Sequence, residues 1–162
     1  MGQVGKIDIF VSNAGVLPSS GGVASYDESE LRRGFEVNVI GSLNAMQAFI
    51  PLAAPGAKLF NISSCLAHLA PVAPVEDVFA YAVTKLASTR MFDFVAAENP
   101  ELHVVNVHPG VTDTEINANT DVKGVDEGTS AMLHMIMAMI RRYVSSYNPA
   151  TLILCFRSYG LC

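Results

Sequence analysis

The chain has 162 residues, 51% hydrophobic and 15% charged, with a formal net charge of -5. That length supports a single domain with its own core. An acidic balance with no basic cluster excludes long-range attraction to nucleic acid or anionic lipid, and no apolar run reaches the roughly 18 residues of a membrane helix.

In chain order, Ile7 to Ser12 is apolar and β-branched apart from Asp8 and runs into Asn13-Ala14-Gly15. It reads as a buried strand ending in a turn, as in a parallel sheet covered on both faces. A Gly- and Ser-rich loop follows to Ser25. Ser25 with Glu28, or Asp27 with Glu30, has capping-box spacing, and a helix is expected from there to about Ile50, where Pro51 stops it. Lys58 to Ser63 is the second predicted strand. Its Asn61-Ile62-Ser63 matches a glycosylation acceptor, which inside an apolar run reads as chance.

After a loop containing Pro71 and Pro74, a helix is predicted from about Glu76 to Glu98. Val83, Leu86, Ala87, Met91, Phe94 and Val95 give it one apolar face, expected to be the buried one. At about 100° per residue, Tyr81 and Lys85 share roughly the opposite side. Leu102 to Val107 is the third strand, ending at His108-Pro109-Gly110. In the tail, Asp126 to about Ser146 reads as a Met-rich helix and Thr151 to Phe156 as a fourth strand. Alternating strands and helices with short turns describe an α/β protein.

Tyr-x-x-x-Lys alone also describes two amphipathic side chains on a solvated face. As chemistry, it is specific. A phenol with pKa near 10 transfers protons poorly at neutral pH, and an ammonium one helical turn away favours the phenolate. A shift of roughly three units requires about 4 kcal/mol, which only a partly desolvated cleft supplies. Ser63-Ser64, Asn13-Ala14-Gly15 and His108-Pro109-Gly110 all fall at the carboxyl ends of predicted strands, where open parallel sheets bind ligands. Asn38 lies inside the first long helix, where the plain alternative is a bond to its own backbone or a solvent-facing amide.

The motifs IDIFVSNAG, NVIG, FNISS, YAVTK and VHPGVTDTE, in this order, resemble the short-chain dehydrogenase/reductase family, classical type, over about residues 6–115. The resemblance implies a Rossmann-like, three-layer αβα fold with a mostly parallel sheet. It also implies NAD(P)-dependent hydride transfer between a nicotinamide and a carbonyl or alcohol. By the resemblance, Tyr81 is the acid/base at the substrate oxygen and Lys85 lowers its pKa and bonds the nicotinamide ribose. Ser64, preferred to Ser63 as the second serine of the strand-end pair, holds the carbonyl oxygen, and Asn38 supports a relay water. Asn13, Ala14 and Gly15 line the adenosine side of the cofactor, Pro109 and Gly110 shape the turn under the nicotinamide, and Thr114 bonds its carboxamide. Ser12 stands where the family often has Asn, and the spacing from Ser64 to Tyr81 implies an insertion around Ala70 to Asp77.

The family's first strand and Gly-rich turn belong before IDIFVSNAG, where this sequence has six residues. The expectation is therefore a single partial domain over residues 1–162, truncated at the N-terminus, with its tail 129–162 unassigned. Cofactor affinity is expected to be reduced, with no readable preference between NAD and NADP. The strand Ile7 to Ser12 is expected to become an exposed apolar edge. The alternative function is a catalytically inactive member acting through association, as a homo-oligomer paired through the helices at about 27–50 and 76–98. Cys65, Cys155 and Cys162 have no metal-ligand spacing. They read as free thiols, and with no apolar signal core in the opening MGQVGK a cytoplasmic location is expected.

Overall fold

The computed structural model describes residues 5–67 and 78–109, together with the backbone of Leu152–Cys155. Four strands, β1 (Ile7–Ser12), β2 (Ala53–Ile62), β3 (His103–His108) and β4 (Leu152–Cys155), form one sheet in the order β1-β2-β3-β4, with every neighbouring pair parallel. Parallel neighbours need crossover connections. Here these are α1 (Glu28–Phe35), a π-helical turn (Glu36–Gly41) and α2 (Ser42–Phe49) between β1 and β2, and α3 (Phe79–Glu98) between β2 and β3. The predicted insertion at 70–77, the helix at 126–146, and Gly110 and Thr114 lie outside the described residues.

The cross-sheet row Phe10, Leu59 and Val104 faces the helices. Leu59 is fully buried there with Met46 and Phe49 of α2, Phe92 and Val95 of α3, and Leu102. Phe10 stacks on Phe49 with ring centroids 4.9 Å apart. The two crossovers therefore share one face of the sheet and one core. Among the described residues, helices cover this face of the sheet alone. Among the described residues no helix is long and apolar enough to cross a membrane.

β1 is the edge of this sheet, and its outward Ile9 and Val11 are 42% and 39% exposed. The strand is thus in place where its apolar run predicts, but it is not buried on both faces. β2 begins five residues earlier than the predicted Lys58. Between the pairs Ile7↔Ala53 and Ile9↔Lys58 the ladder shifts, and Gly56 in that stretch adopts φ 74°, the left-handed region that glycine enters without strain. Pro55-Gly56 reads locally as a break, and the bulge absorbs it.

Asp27 is the N-cap of α1, its Oδ1 accepting from the Ser29 amide at 2.8 Å, which settles the capping choice in its favour over Ser25. Glu30 does not complete a capping box. Its carboxylate accepts from Arg33 and from the Ser19 amide, and these bonds hold it below the usual carboxylate range. The expected continuous helix to Ile50 contains the π turn at Glu36–Gly41, where the Ser42 hydroxyl donates to the Asn38 carbonyl at 3.0 Å.

Through Gly34, α1 approaches α3 and the loop between β1 and α1. A Cβ there would lie 2.7 Å from Pro18 Cγ and 3.3 Å from Thr84 Cγ2. A proline ring cannot swing aside, so Gly34→Ala is expected to destabilise the chain by about 1–2 kcal/mol despite alanine's better helix propensity. Urea denaturation of the two proteins checks this.

Candidate active site

The sequence expectation for α3 holds for Val95 and Met91, which join the core, and fails for Val83 and Phe94. Its buried positions are Ala80, Thr84, Lys85, Ser88, Thr89, Phe92 and Val95, whereas Val83 and Phe94 are 40% and 56% exposed. Small hydroxyl residues let the helix lie close to the strand ends. Their hydroxyls are satisfied locally: Thr84 Oγ1 donates to the Tyr81 carbonyl at 2.9 Å and Ser88 Oγ to that of Lys85 at 3.2 Å. The stem of Lys85 is apolar and packs on the same side, which carries its amine into the interior.

Lys85 is 6% exposed, and its Nζ donates to the carbonyl of Ile62, the last residue of β2, at 2.8 Å. The amine lies 5.6 Å from the centroid of the half-buried Tyr81 ring. Gly15, in the loop after β1, faces the same point: a Cβ on it would come within 3.4 Å of Lys85 Nζ and 3.3 Å of Asn38 Oδ1. Only a residue without a side chain leaves that space open.

Asn38 does not take either of its plain alternatives. It is 2% exposed, accepts from the Val16 amide at 2.8 Å, and donates to the Val16 carbonyl at 2.9 Å and to Thr84 Oγ1 at 3.0 Å. It thereby ties the loop after β1 to α3. Asn13 and Ala14 are exposed on that loop, and Pro109 is half-buried after β3.

The two serines after β2 have different surroundings. Ser63 donates its amide to the Val107 carbonyl at 2.7 Å and shares a 2.6 Å hydrogen bond with the Thr89 hydroxyl, so it clamps β2 to β3 and α3. Ser64 accepts from the Leu66 amide at 3.2 Å and opens the short turn Cys65–Ala67 that packs on α3. Asn61 is 2% exposed and donates to Asn106 Oδ1, its register partner, at 2.9 Å, so the glycosylation match is sealed inside the sheet.

The electrostatics also depart from the sequence expectation. Burial, with a smaller effect from the nearby Cys65, pushes the Tyr81 phenol up to about 12 rather than down. Burial pushes Lys85 down to about 8. Spacing along the helix promises attraction between ammonium and phenolate, but removing both groups from water disfavours both charged forms, and at this separation desolvation wins.

Sequence reasoning missed Thr84, Thr89 and Val16. Thr84 carried a faint signal, a modest helix former in a helix interior beside Lys85. Among the described residues no cluster of three or more His, Cys, Asp or Glu could hold a metal ion.

A family model described as short chain dehydrogenase matches residues 1–123. The chain is 33% identical over 133 residues to the short-chain dehydrogenase/reductase SDRA of Arabidopsis thaliana, covering 78% of this chain and 51% of that protein. It is 33% identical over 132 residues to the short chain dehydrogenase pigC of Monascus ruber, covering 79% and 40%. The chain thus spans about half or less of the length of these curated relatives. A solved short chain dehydrogenase of Burkholderia cenocepacia J2315, in complex with NADP, matches the fold with a TM-score of 0.72 at 24% identity, covering 92% of this chain and 64% of that one.

Proposed function

Because this chain belongs to the short-chain dehydrogenase family, we propose that its site exchanges hydride between NAD or NADP and a small carbonyl or alcohol, with Tyr81 as the acid/base. The observation that carries this is the convergence of Gly15, Asn38 and the Lys85 amine on one point at the ends of β1 and β2. The space beside Gly15, which a Cβ would fill, and a buried amine facing it fit the ribose and nicotinamide end of such a cofactor. That end is common to NAD and NADP, so the reading covers both.

When bound, the cofactor supplies or accepts the hydride. Lys85 would hold the ribose hydroxyls, Gly15 would allow the close approach, and Asn13 and Ala14 would line the adenosine side. Pro109, Gly110 and Thr114 would border the nicotinamide. Ser64 would hold the substrate oxygen through its hydroxyl while Tyr81 gives that oxygen its proton in reduction or takes it in oxidation. Asn38 would keep the loop of Gly15 and the helix of Tyr81 in fixed relation and support a relay water. A cytoplasmic location accords with the free thiol of Cys65.

Calorimetric titration of the folded chain with NADH and NADPH tests the reading. Saturable binding at micromolar cofactor, kept in Tyr81→Phe, supports it; no heat up to millimolar cofactor overturns it for this chain.

The outward face of α3 favours a second reading, association with another copy of the chain. Phe94 is 56% exposed, with the Arg90 guanidinium 5.1 Å above its ring, and Val83 is 40% exposed on the same helix. Val83 and Phe94 stand about three turns apart on the same side of the helix, the placement that an association face along α3 would use. In sedimentation velocity the chain is expected to run as a dimer, and Phe94→Glu to shift it to monomer. A wild-type monomer at all concentrations would count against the reading.

A further inference from the structure

We propose that Thr84 is a positioning residue of this site, whose hydroxyl fixes the Asn38 carboxamide relative to the start of α3. The inference rests on the reading of Tyr81 and Asn38 as site residues, and its geometry stands on four hydrogen bonds.

The Val16 amide can only donate, so the atom of Asn38 facing it must be the oxygen, at 2.8 Å. That orientation makes Nδ2 the donor to both the Val16 carbonyl at 2.9 Å and Thr84 Oγ1 at 3.0 Å. Thr84 Oγ1 must then accept from Asn38. Its own proton is left for the Tyr81 carbonyl, 2.9 Å away. Each bond dictates the direction of the next, so the loop after β1, the π turn and the first turn of α3 form one directed chain. Reversing the Asn38 amide would set two donors against each other at Val16.

Thr84 is fully buried, so no water replaces its hydroxyl. Its two branches have separate tasks. The hydroxyl serves Asn38 and Tyr81, and the methyl lies where Gly34 lets α1 come close, 3.3 Å from a Cβ placed there. Thr84→Ser keeps the hydroxyl and drops the methyl; Thr84→Val keeps the shape and drops the hydroxyl. The two variants therefore separate positioning from packing.

The test is proton exchange of the Asn38 side-chain amide, followed by NMR on the labelled full chain and assigned by its loss in Asn38→Ser. Loss of one buried hydrogen bond corresponds to about tenfold in exchange rate. Thr84→Val is expected to speed Asn38 exchange about tenfold and Thr84→Ser by less than about twofold, with the Leu59 and Phe92 backbone amides unchanged. Wild-type exchange in Thr84→Val, equal acceleration in both variants, or parallel acceleration at Leu59 and Phe92 would each overturn the proposal.

In a carbonyl-reduction assay Thr84→Val is expected to lower kcat with little change in KM, and Thr84→Ser to restore it. An inactive wild type that shows the expected exchange pattern would overturn the oxidoreductase reading and leave the Thr84 link standing. An active Thr84→Val with wild-type exchange would overturn the Thr84 link alone.

Discussion

Tyr81→Phe is expected to reduce carbonyl reduction by about 100- to 10,000-fold, the usual contribution of a positioned general acid, while binding of NADH or NADPH stays nearly unchanged. Phenylalanine keeps the ring and removes only the hydroxyl. The pH dependence separates Tyr81 from its neighbour. With the phenol pushed up to about 12, Tyr81 holds its proton through neutral and mildly alkaline pH. Reduction should therefore not be limited by loss of that proton. Oxidation needs the phenolate and is expected to rise with pH over the same range. Lys85, pushed down to about 8, loses its charge first, so kcat/KM for reduction is expected to fall above about pH 8. That quantity reports the free protein. A reductive profile flat to pH 10, or Tyr81→Phe with full activity, would contradict these roles.

The second large effect is on stability. Lys85→Met is expected to stabilise the folded chain at pH 7 by about 2 kcal/mol while abolishing reduction. Burial lowers the Lys85 pKa from 10.5 to about 8, so between those values the unfolded chain binds a proton that the folded chain does not. Stability then rises with pH through this window, and the cost, about 3 kcal/mol, is fully present below pH 8. Methionine removes that cost and gives back about 1 kcal/mol, because the Ile62 carbonyl loses its donor. Tyr81 acts in the opposite sense: burial disfavours its phenolate and raises its pKa from 10.0 to about 12, so stability is unaffected below pH 10 and falls as pH climbs from there to 12. Urea denaturation from pH 7 to 10 is expected to show rising stability in the wild type and none of that rise in Lys85→Met. An unchanged slope in the variant would mean that Lys85 is not the group responsible.

A buried lysine that weakens the fold and sits where the cofactor's ribose is proposed to bind is a trade of stability for function. The same holds for Gly15, where any side chain would close the space beside the amine. Both positions break a local preference, lysine by being buried and glycine by leaving a gap. Breaks of this kind are what a functional site requires of its scaffold.

The sequence by itself placed the strands, apart from the start of β2, and their parallel class. Apolar β-branched runs bounded by Gly and Pro place β1 at Ile7–Ser12 and β3 within one residue of its limits, because period and composition are local properties. The ordered motifs from IDIFVSNAG to VHPGVTDTE pointed to the family, and the match over residues 1–123 bears that out. Tertiary structure alone decided which face of α3 is buried. Its apolar residues are spread around the helix, and the small Ala80, Thr84, Ser88 and Thr89 allow the closest approach to the sheet. It also decided the π turn at Asn38, held by bonds to Val16 and Thr84 from distant parts of the chain. It decided the direction of both pKa shifts as well. Spacing on a helix records how far apart two charges are, whereas desolvation depends on everything packed around them, and no four-residue interval in the sequence carries that information.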